Sequence, residues 1–382
     1  MRKRLLMSDQ TLFRSIDVSE IDYAPEFFNY RESQLKDLAY QVRPAIEGGR
    51  ALNAVCRGLP GTGKTTSVLR IFAELEQTTK KIVPVYVNCQ NDRTKYMVFS
   101  RIYAAIIGHA PARTGISIRS VMDAIGGALQ RQEESLIVCL DDANLLHYNN
   151  LLGDVVNSLL RLHQDYPGAR AAVFATVSDM DIDLTTDLSR WVLSPFRPSD
   201  IYFPPYNAEE IRGILQDRIR VGLYPGVFSV QMLDRIVEQT MESGDVRVGL
   251  DLVKRAVLNA ECAARTEVVE EDITKAYEQA KHVHLAYTIR ALSTGERVLL
   301  QRIAELSKEE TGPLVSGTIY TDGESKPKVS YTAFFKRLQK LDALRLVDLI
   351  RVQAGGRTSE VVLRYELEKV VQICGKRGTA GA

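Results

Sequence analysis

The segment GLPGTGKT, residues 58–65, carries the pattern G-x-x-x-x-G-K-[ST] between an apolar run at 51–56 and a helix-forming stretch that starts near Lys64. Glycines at 58, 61 and 63 let such a loop curl until successive backbone N–H groups point at phosphate oxygens. The positive end of the following helix adds attraction for the same anion. Lys64 supplies a full charge for the β- and γ-phosphates of a bound nucleotide such as ATP, and Thr65 a hydroxyl for Mg2+. Pro60, Gly61, Thr62, Gly63, Lys64, Thr65 and Thr66 are therefore the candidate phosphate-binding residues. A second, acidic arm is needed for the metal. LIVCLDDAN, residues 136–144, offers Asp141 directly after an apolar strand as the Mg2+ ligand. Asp142 follows in the position of a water-activating carboxylate, one methylene shorter than Glu, so its reach to an attacking water is reduced. The pattern argues more strongly for binding than for hydrolysis.

The elements that must hold these groups are legible as alternation. Near-continuous apolar runs at 51–56, 82–89, 135–140 and 171–177 have the character of strands buried on both faces of a parallel sheet. Helical spacing at 67–75 and 151–163 lies between them, which predicts an α/β P-loop domain with a parallel sheet over residues 21–205. After FPPYN (203–207) the strand signals stop. Helical patterns at 209–220, 230–241, 246–265 and 270–282 predict a helical lid over 206–287, with Asp245 and Glu270 or Glu271 at helix starts. From 288 to 382 two helical patterns, 293–305 and 331–342, precede strand-like runs at 344–352 and 359–367 around the turn AGGRT. Helices followed by a β-hairpin predict a winged helix-turn-helix. Residues 1–20 are expected to be a flexible N-terminal arm.

At 382 residues the chain is long enough for two or three domains, with 45% hydrophobic and 25% charged residues. The net charge of +1 excludes little, but residues 288–382 hold 16 Lys and Arg against 11 Asp and Glu, which points to a polyanion partner for that part. The five cysteines form no CxxC pair and lie largely in apolar segments, so buried reduced thiols are expected. No apolar h-region follows the basic residues of MRKRLLMSDQ, and no run approaches a membrane span, so the expected location is cytoplasmic and nucleoid-associated with no membrane partner.

Taken in order, DYAPEFFNYRESQLKDLA (22–39), GLPGTGKTT, VYVNC (85–89), FPPYNAEEI (203–211) and GDVRVGLDLVKRA (244–256) resemble the archaeal origin-recognition initiators, Orc/Cdc-type members of the AAA+ ATPases, from about residue 20 to 370. The resemblance implies that the segment containing Tyr23, Pro25 and Arg31 wraps the adenine, and that Tyr206 packs near the base at the hinge. It further implies that Arg218 contacts nucleotide and that Arg247, in GDVR, reaches from the lid to the γ-phosphate as a sensor. A tyrosine face and an arginine fork are chemically suited to such roles. Two places depart from the family. Asp179 stands where a sensor Asn is usual, and an acid there repels a γ-phosphate instead of donating to it. The Glu-Pro-Arg segment is replaced by LSRWV (188–192), which leaves Arg190 as the candidate finger toward a neighbouring subunit. With Asp142, these departures imply slow or partner-dependent hydrolysis.

A winged helix lays its second helix in the major groove of duplex DNA. The candidate contacts are Tyr331, Thr332, Lys336 and Arg337 on the recognition helix, with Lys326 and Lys328 before it and Arg357 at the wing tip. The family also has a DNA-touching insertion in the ATPase domain, which would fall within 108–131 and make Arg113 and Arg119 candidates. The function that the resemblance implies is an ATP/ADP-switched replication initiator on double-stranded origin DNA, with the replicative helicase and paralogous initiators as further partners. An ATP-gated winged-helix transcriptional or signalling regulator and a clamp-loader-like ATPase remain as alternatives. FPPY with GDVR favours the initiator, and a winged helix disfavours the clamp loader, which ends in a helical collar.

Overall fold

The computed structural model describes residues 11–20, 23, 28–112, 115–180, 182–184, 186–309, 313–321, 330–351 and 359–375. The chain divides into two compact units, Glu26–Pro205 and Met1–Pro25 with Tyr206–Ala382.

The first unit is built on five parallel strands: β1 (Ala54–Arg57), β2 (Ile82–Asn88), β3 (Ser135–Asp141), β4 (Arg170–Val177) and β5 (Ser199–Tyr202), in the order β2-β3-β4-β1-β5. Its helices are α1 (Glu32–Ile46), α2 (Lys64–Thr78), α3 (Lys95–Ile107), α4 (Ile118–Gln132), α5 (Asn144–Tyr148), α6 (Leu152–Leu160), α7 (Leu162–Asp165) and α8 (Arg190–Phe196). Successive strand residues face opposite sides of the sheet. Leu136, Val138 and Leu140 of β3 accordingly enter one apolar core with Phe99, Ile102, Ile125 and Val155, while Ile137 and Cys139 enter a second core with Leu38, Val68 and Phe72. Both faces are covered, which is why the strands read as continuous apolar runs. The four strands foreseen from those runs are present. The fifth, β5, is an edge strand of four residues in which only Ile201 is buried, so it carried no such signal.

The strand order decides where the chemistry sits. Ligands of open parallel sheets bind beyond the carboxyl ends of the strands. The loop at Gly58 follows β1, Asp141 ends β3, and Ser178 and Asp179 follow β4, so all three stretches leave the same edge.

In the second unit, α9 (Ala208–Gly222), α10 (Val230–Ser243), α11 (Val246–Cys262) and α12 (Glu270–Ala291) match the helical segment expected there. Asn207 and Glu210 form a capping box at the start of α9, and Asp245 caps α11 by accepting from the Arg247 N–H. The helix α12 runs on to Ala291, so residue 287, expected as a domain end, lies inside a continuous helix.

Residues 11–20 correct the expectation of a flexible arm. A short 3-10 helix, Ile16–Ser19, packs with Phe13 and Val18 buried, and Phe13 bridges to Leu223. Glu261 accepts from the Leu12 N–H at 2.6 Å and Glu20 pairs with Lys254. The apolar Phe13 and Val18 supply burial that a purely polar arm lacks. Residues 1–10 lie outside the described residues.

The C-terminal elements are α13 (Thr294–Glu309), α14 (Ser316–Thr321), α15 (Tyr331–Ala343), the antiparallel pair β6 (Val347–Arg351) and β7 (Ser359–Leu363), and α16 (Leu367–Gly375). The Val361 N–H also donates to the Leu314 carbonyl at 2.7 Å, which ties the hairpin to the start of α14. The second expected strand stops at Leu363, because residues 367–375 form α16, whose Val370 and Cys374 enter the core of this part. Four cysteines are buried as expected, whereas Cys262, at the end of α11, is exposed. Among the described residues no helix is long and apolar enough to cross a membrane.

Candidate nucleotide site

The loop between β1 and α2 adopts the curl that its glycines permit. Gly61 and Gly63 have φ of 74° and 86°, the left-handed region in which a side chain is strained. Gly58 has a different reason to be glycine: a Cβ there would stand 2.4 Å from the Phe203 carbonyl oxygen, just beyond β5. Lys64 begins α2 and is 5% exposed, its Nζ donating to the carbonyls of Gly58 and Leu59, each at 2.8 Å. The Thr62 hydroxyl donates to the Leu59 carbonyl at 2.8 Å. The ammonium is thus held inside the curl of the loop.

Asp141 sits at the end of β3 with three hydroxyls on its carboxylate. Thr65 and Thr176 each donate to Oδ1 at 2.7 Å, and the Tyr86 hydroxyl donates to Oδ2 at 2.8 Å. Burial and the neighbouring Asp142 push the Asp141 carboxyl above its ordinary range, while the hydrogen bonds from Thr176, Thr65 and Tyr86 pull it down. A carboxylate has about four lone-pair sites, so three hydrogen bonds leave room for one more electropositive partner. Thr65 uses its proton on Asp141, which leaves its oxygen lone pairs for a hard cation. The pair therefore fits Mg2+, and Thr65 and Asp141 are the residues that would hold it.

Asp142 has φ of 53°, and its N–H donates to the Thr176 hydroxyl at 2.9 Å. Its carboxylate accepts from the Ser178 hydroxyl at 3.1 Å and from Gln90 Nε2 at 2.7 Å. Asp179 is 4% exposed and accepts from the Tyr148 hydroxyl. Arg190 is exposed at the first position of α8. Tyr86, Gln90, Thr176, Ser178 and Tyr148 all escaped the sequence reading. Only pairing reveals them: Tyr86 reaches Asp141 because β2 lies beside β3, and Thr176 does so because β4 lies on the other side.

Arg31, expected near the base, is 2% exposed, with Nε on the Thr62 carbonyl at 2.9 Å and Nη2 on the Pro204 carbonyl at 2.6 Å. In the second unit Tyr23 and Arg218 come together. The guanidinium lies 4.6 Å from the centre of the Tyr23 ring and donates to the carbonyls of Val18 and Tyr23 at 2.9 and 3.1 Å. Arg247 is turned onto Asp245, with Nε 2.9 Å from the Asp245 carboxylate, and Tyr206 is buried. Pro25 lies outside the described residues.

Of the expected DNA contacts, Arg113, Lys326, Lys328 and Arg357 lie outside the described residues. Tyr331, Thr332 and Lys336 are exposed on α15, and the Tyr331 ring packs edge-on against Tyr320 with centroids 5.2 Å apart. Arg337 is half-buried and folds against Gly295 of α13, where an added Cβ would lie 2.6 Å from its guanidinium carbon. Arg119, on α4, is exposed with Asp123 at 3.9 Å.

Residues 47–177 match the family described as an AAA domain, and residues 212–278 match the Cdc6 AAA+ ATPase-type lid domain. Among curated proteins the chain is 41% identical over 370 residues to ORC1-type DNA replication protein 6 of Halobacterium salinarum, covering 96% of this chain and 97% of that relative. The chain belongs to the ORC1-type DNA replication protein family. A second ORC1-type relative, protein 2 of Methanothermobacter thermautotrophicus, is 38% identical over 94% of this chain and 93% of its own length. Among solved structures, the Aeropyrum pernix ORC1 protein in complex with DNA aligns at a TM-score of 0.68 with 25% identity, over 97% of this chain and 98% of that one. The Aeropyrum pernix ORC2 protein, in its ADPNP-ADP complexes, aligns at 0.72 with 21% identity over 95% and 98%, a likeness of fold. The sheet unit of this ORC1-type chain is accordingly an AAA+ fold, as the motifs imply.

Proposed function

We propose that this ORC1-type chain is an ATP/ADP-switched DNA replication initiator that binds duplex origin DNA. The observation that carries the reading is a buried Lys64 held inside the loop after β1 with Thr65, the next residue, hydrogen-bonded to Asp141 at the end of β3, in a chain whose relatives are named DNA replication proteins. The curled amides of residues 61–65 and the Lys64 ammonium bind the phosphate tail, and Mg2+ held by Thr65 and Asp141 neutralises charge on it. Tyr23, Arg218 and Tyr206 serve the base, and Arg247 exchanges its Asp245 partner for the γ-phosphate, which makes the lid responsive to whether ATP or ADP is bound. The structure of A. pernix ORC1 was solved with DNA, and the helices and hairpin of residues 294–375 have the make-up of a winged helix. Recruitment of the replicative helicase and pairing with paralogous initiators complete the role. Calorimetry with ATP and ADP in the presence of Mg2+ tests the first half, and footprinting on origin-region DNA the second. Absence of heat, or protection of promoters with no origin element, would defeat the respective part.

Hydrolysis is proposed to be slow. Both Asp142 oxygens already accept hydrogen bonds, its side chain is short, and Asp179 brings a second carboxylate where a donor would serve better. Asp142→Glu and Asp179→Asn are each expected to raise the single-turnover rate roughly tenfold. A wild-type rate that neither substitution increases would remove these residues as the cause.

For DNA, Lys336→Ala is expected to make the salt dependence of affinity shallower by about 1 in log–log slope, the loss of one phosphate contact. Arg337→Ala should add less, because its guanidinium is packed against Gly295. A slope that Lys336→Ala leaves unaltered would take Lys336 off the contact surface.

A further inference from the structure

Arg31 is among the largest fully buried side chains of the chain. Among the described residues its guanidinium reaches the main-chain carbonyls of Tyr30 at 2.8 Å, Thr62 at 2.9 Å and Pro204 at 2.6 Å. Thr62 lies in the turn of the phosphate loop, and Pro204 follows β5. The same stretch after β5 crowds the loop's first residue, since the Phe203 carbonyl leaves no room for a Cβ at Gly58. One buried cation therefore ties the turn of the loop to the strand exit against which its base packs.

That tie fixes a direction. Within a trans peptide unit the C=O and N–H point opposite ways. Holding the Thr62 oxygen toward Arg31 therefore aims the Gly63 N–H away from it. Gly61 and Gly63, both at positive φ, give the loop little stiffness of its own. An external clamp on the intervening carbonyl supplies what the glycines cannot. The planar fork of arginine can serve three separate acceptors at fixed angles, which a lysine ammonium cannot reproduce.

We propose that Arg31 is a positioning residue of the phosphate loop, setting the aim of the Gly63 amide at the phosphate tail, and is not a contact to the nucleotide base. The inference rests on the nucleotide-binding reading above. It predicts that Arg31 governs affinity for the polyphosphate whatever is attached to it.

The test measures binding of ATP, GTP and inorganic tripolyphosphate, each with Mg2+, to the full chain and to Arg31→Lys, by calorimetry well below the melting transition of both. Arg31→Lys should weaken all three by one common factor of about tenfold, with the ATP-to-GTP ratio unchanged. A fallen ATP-to-GTP ratio with tripolyphosphate unaffected would make Arg31 a base contact, and equal affinities throughout would deny it any role; either overturns the proposal. In the wild-type chain the Gly63 amide resonance should move alike with all three ligands, a signature that stands even where the variant fails to fold. A Gly63 resonance indifferent to tripolyphosphate overturns the proposal while leaving the nucleotide reading intact. A wild-type chain that binds none of the three sinks that reading, and this one with it.

Discussion

Lys64→Ala is expected to weaken ATP and ADP binding by at least about 100-fold while the C-terminal helices and hairpin stay folded. The size follows from what the ammonium does. In the proposed complex it provides charge-assisted hydrogen bonds to the phosphates, worth roughly 1.5–3 kcal/mol each. It is also 5% exposed and bonded to the Gly58 and Leu59 carbonyls, so the substitution removes an internal strut of the loop as well. Calorimetry with Mg2+ and each nucleotide measures the loss, and circular dichroism of the variant checks the fold. A dissociation constant within threefold of wild type would mean that the phosphates lie elsewhere. Lys64→Arg should rescue little, because a planar fork does not fit between two carbonyls that converge on a point charge.

The second large effect is on stability. Glu296 and Lys340 form a buried ion pair in the C-terminal core, with Oε1 and Nζ 2.7 Å apart and side-chain exposures of 2% and 7%. Glu296 also closes a cap at the start of α13, accepting from the Ser293 N–H at 2.8 Å through its other oxygen. Glu296→Ala breaks the buried pair and opens the cap, so a loss of about 3–5 kcal/mol is expected. Replacing both partners, as in Glu296→Leu with Lys340→Met, should recover most of that loss, because well-packed apolar residues often substitute for a buried pair at little cost. Urea unfolding monitored in the C-terminal residues reads both values. A single-substitution cost below 1 kcal/mol would show that solvent reaches the pair.

The candidate nucleotide site was legible where it is contiguous in sequence. The spacing of Gly58, Gly61, Gly63, Lys64 and Thr65 is a local code, because one turn of backbone must wrap one phosphate tail, and the structure keeps it as one loop. Asp141 was legible because a carboxylate ending an apolar run must leave the sheet with its strand. The supporting hydroxyls were not. Tyr86 and Thr176 serve Asp141 from strands on either side of it, and sequence carries no statement of which strands are neighbours. Lys340 likewise looks like any polar residue on α15 until Glu296, 44 positions away, is found beside it in the core.

Burial patterns set the same division for the fold. Runs such as 135–140 announce a strand covered on both faces, since every position must be apolar there. The edge strand β5, with one buried side chain, announces nothing, and the arm of residues 11–20 gained its order from surfaces on α9 and α11 that sequence cannot bring to it. Sequence by itself determined the family, the phosphate loop and the alternation that makes a parallel sheet, because each depends on residues close along the chain. Tertiary structure alone decided which side chains brace Asp141, where the Arg31 guanidinium goes and which charges are buried. Those depend on distances through space, which only packing sets.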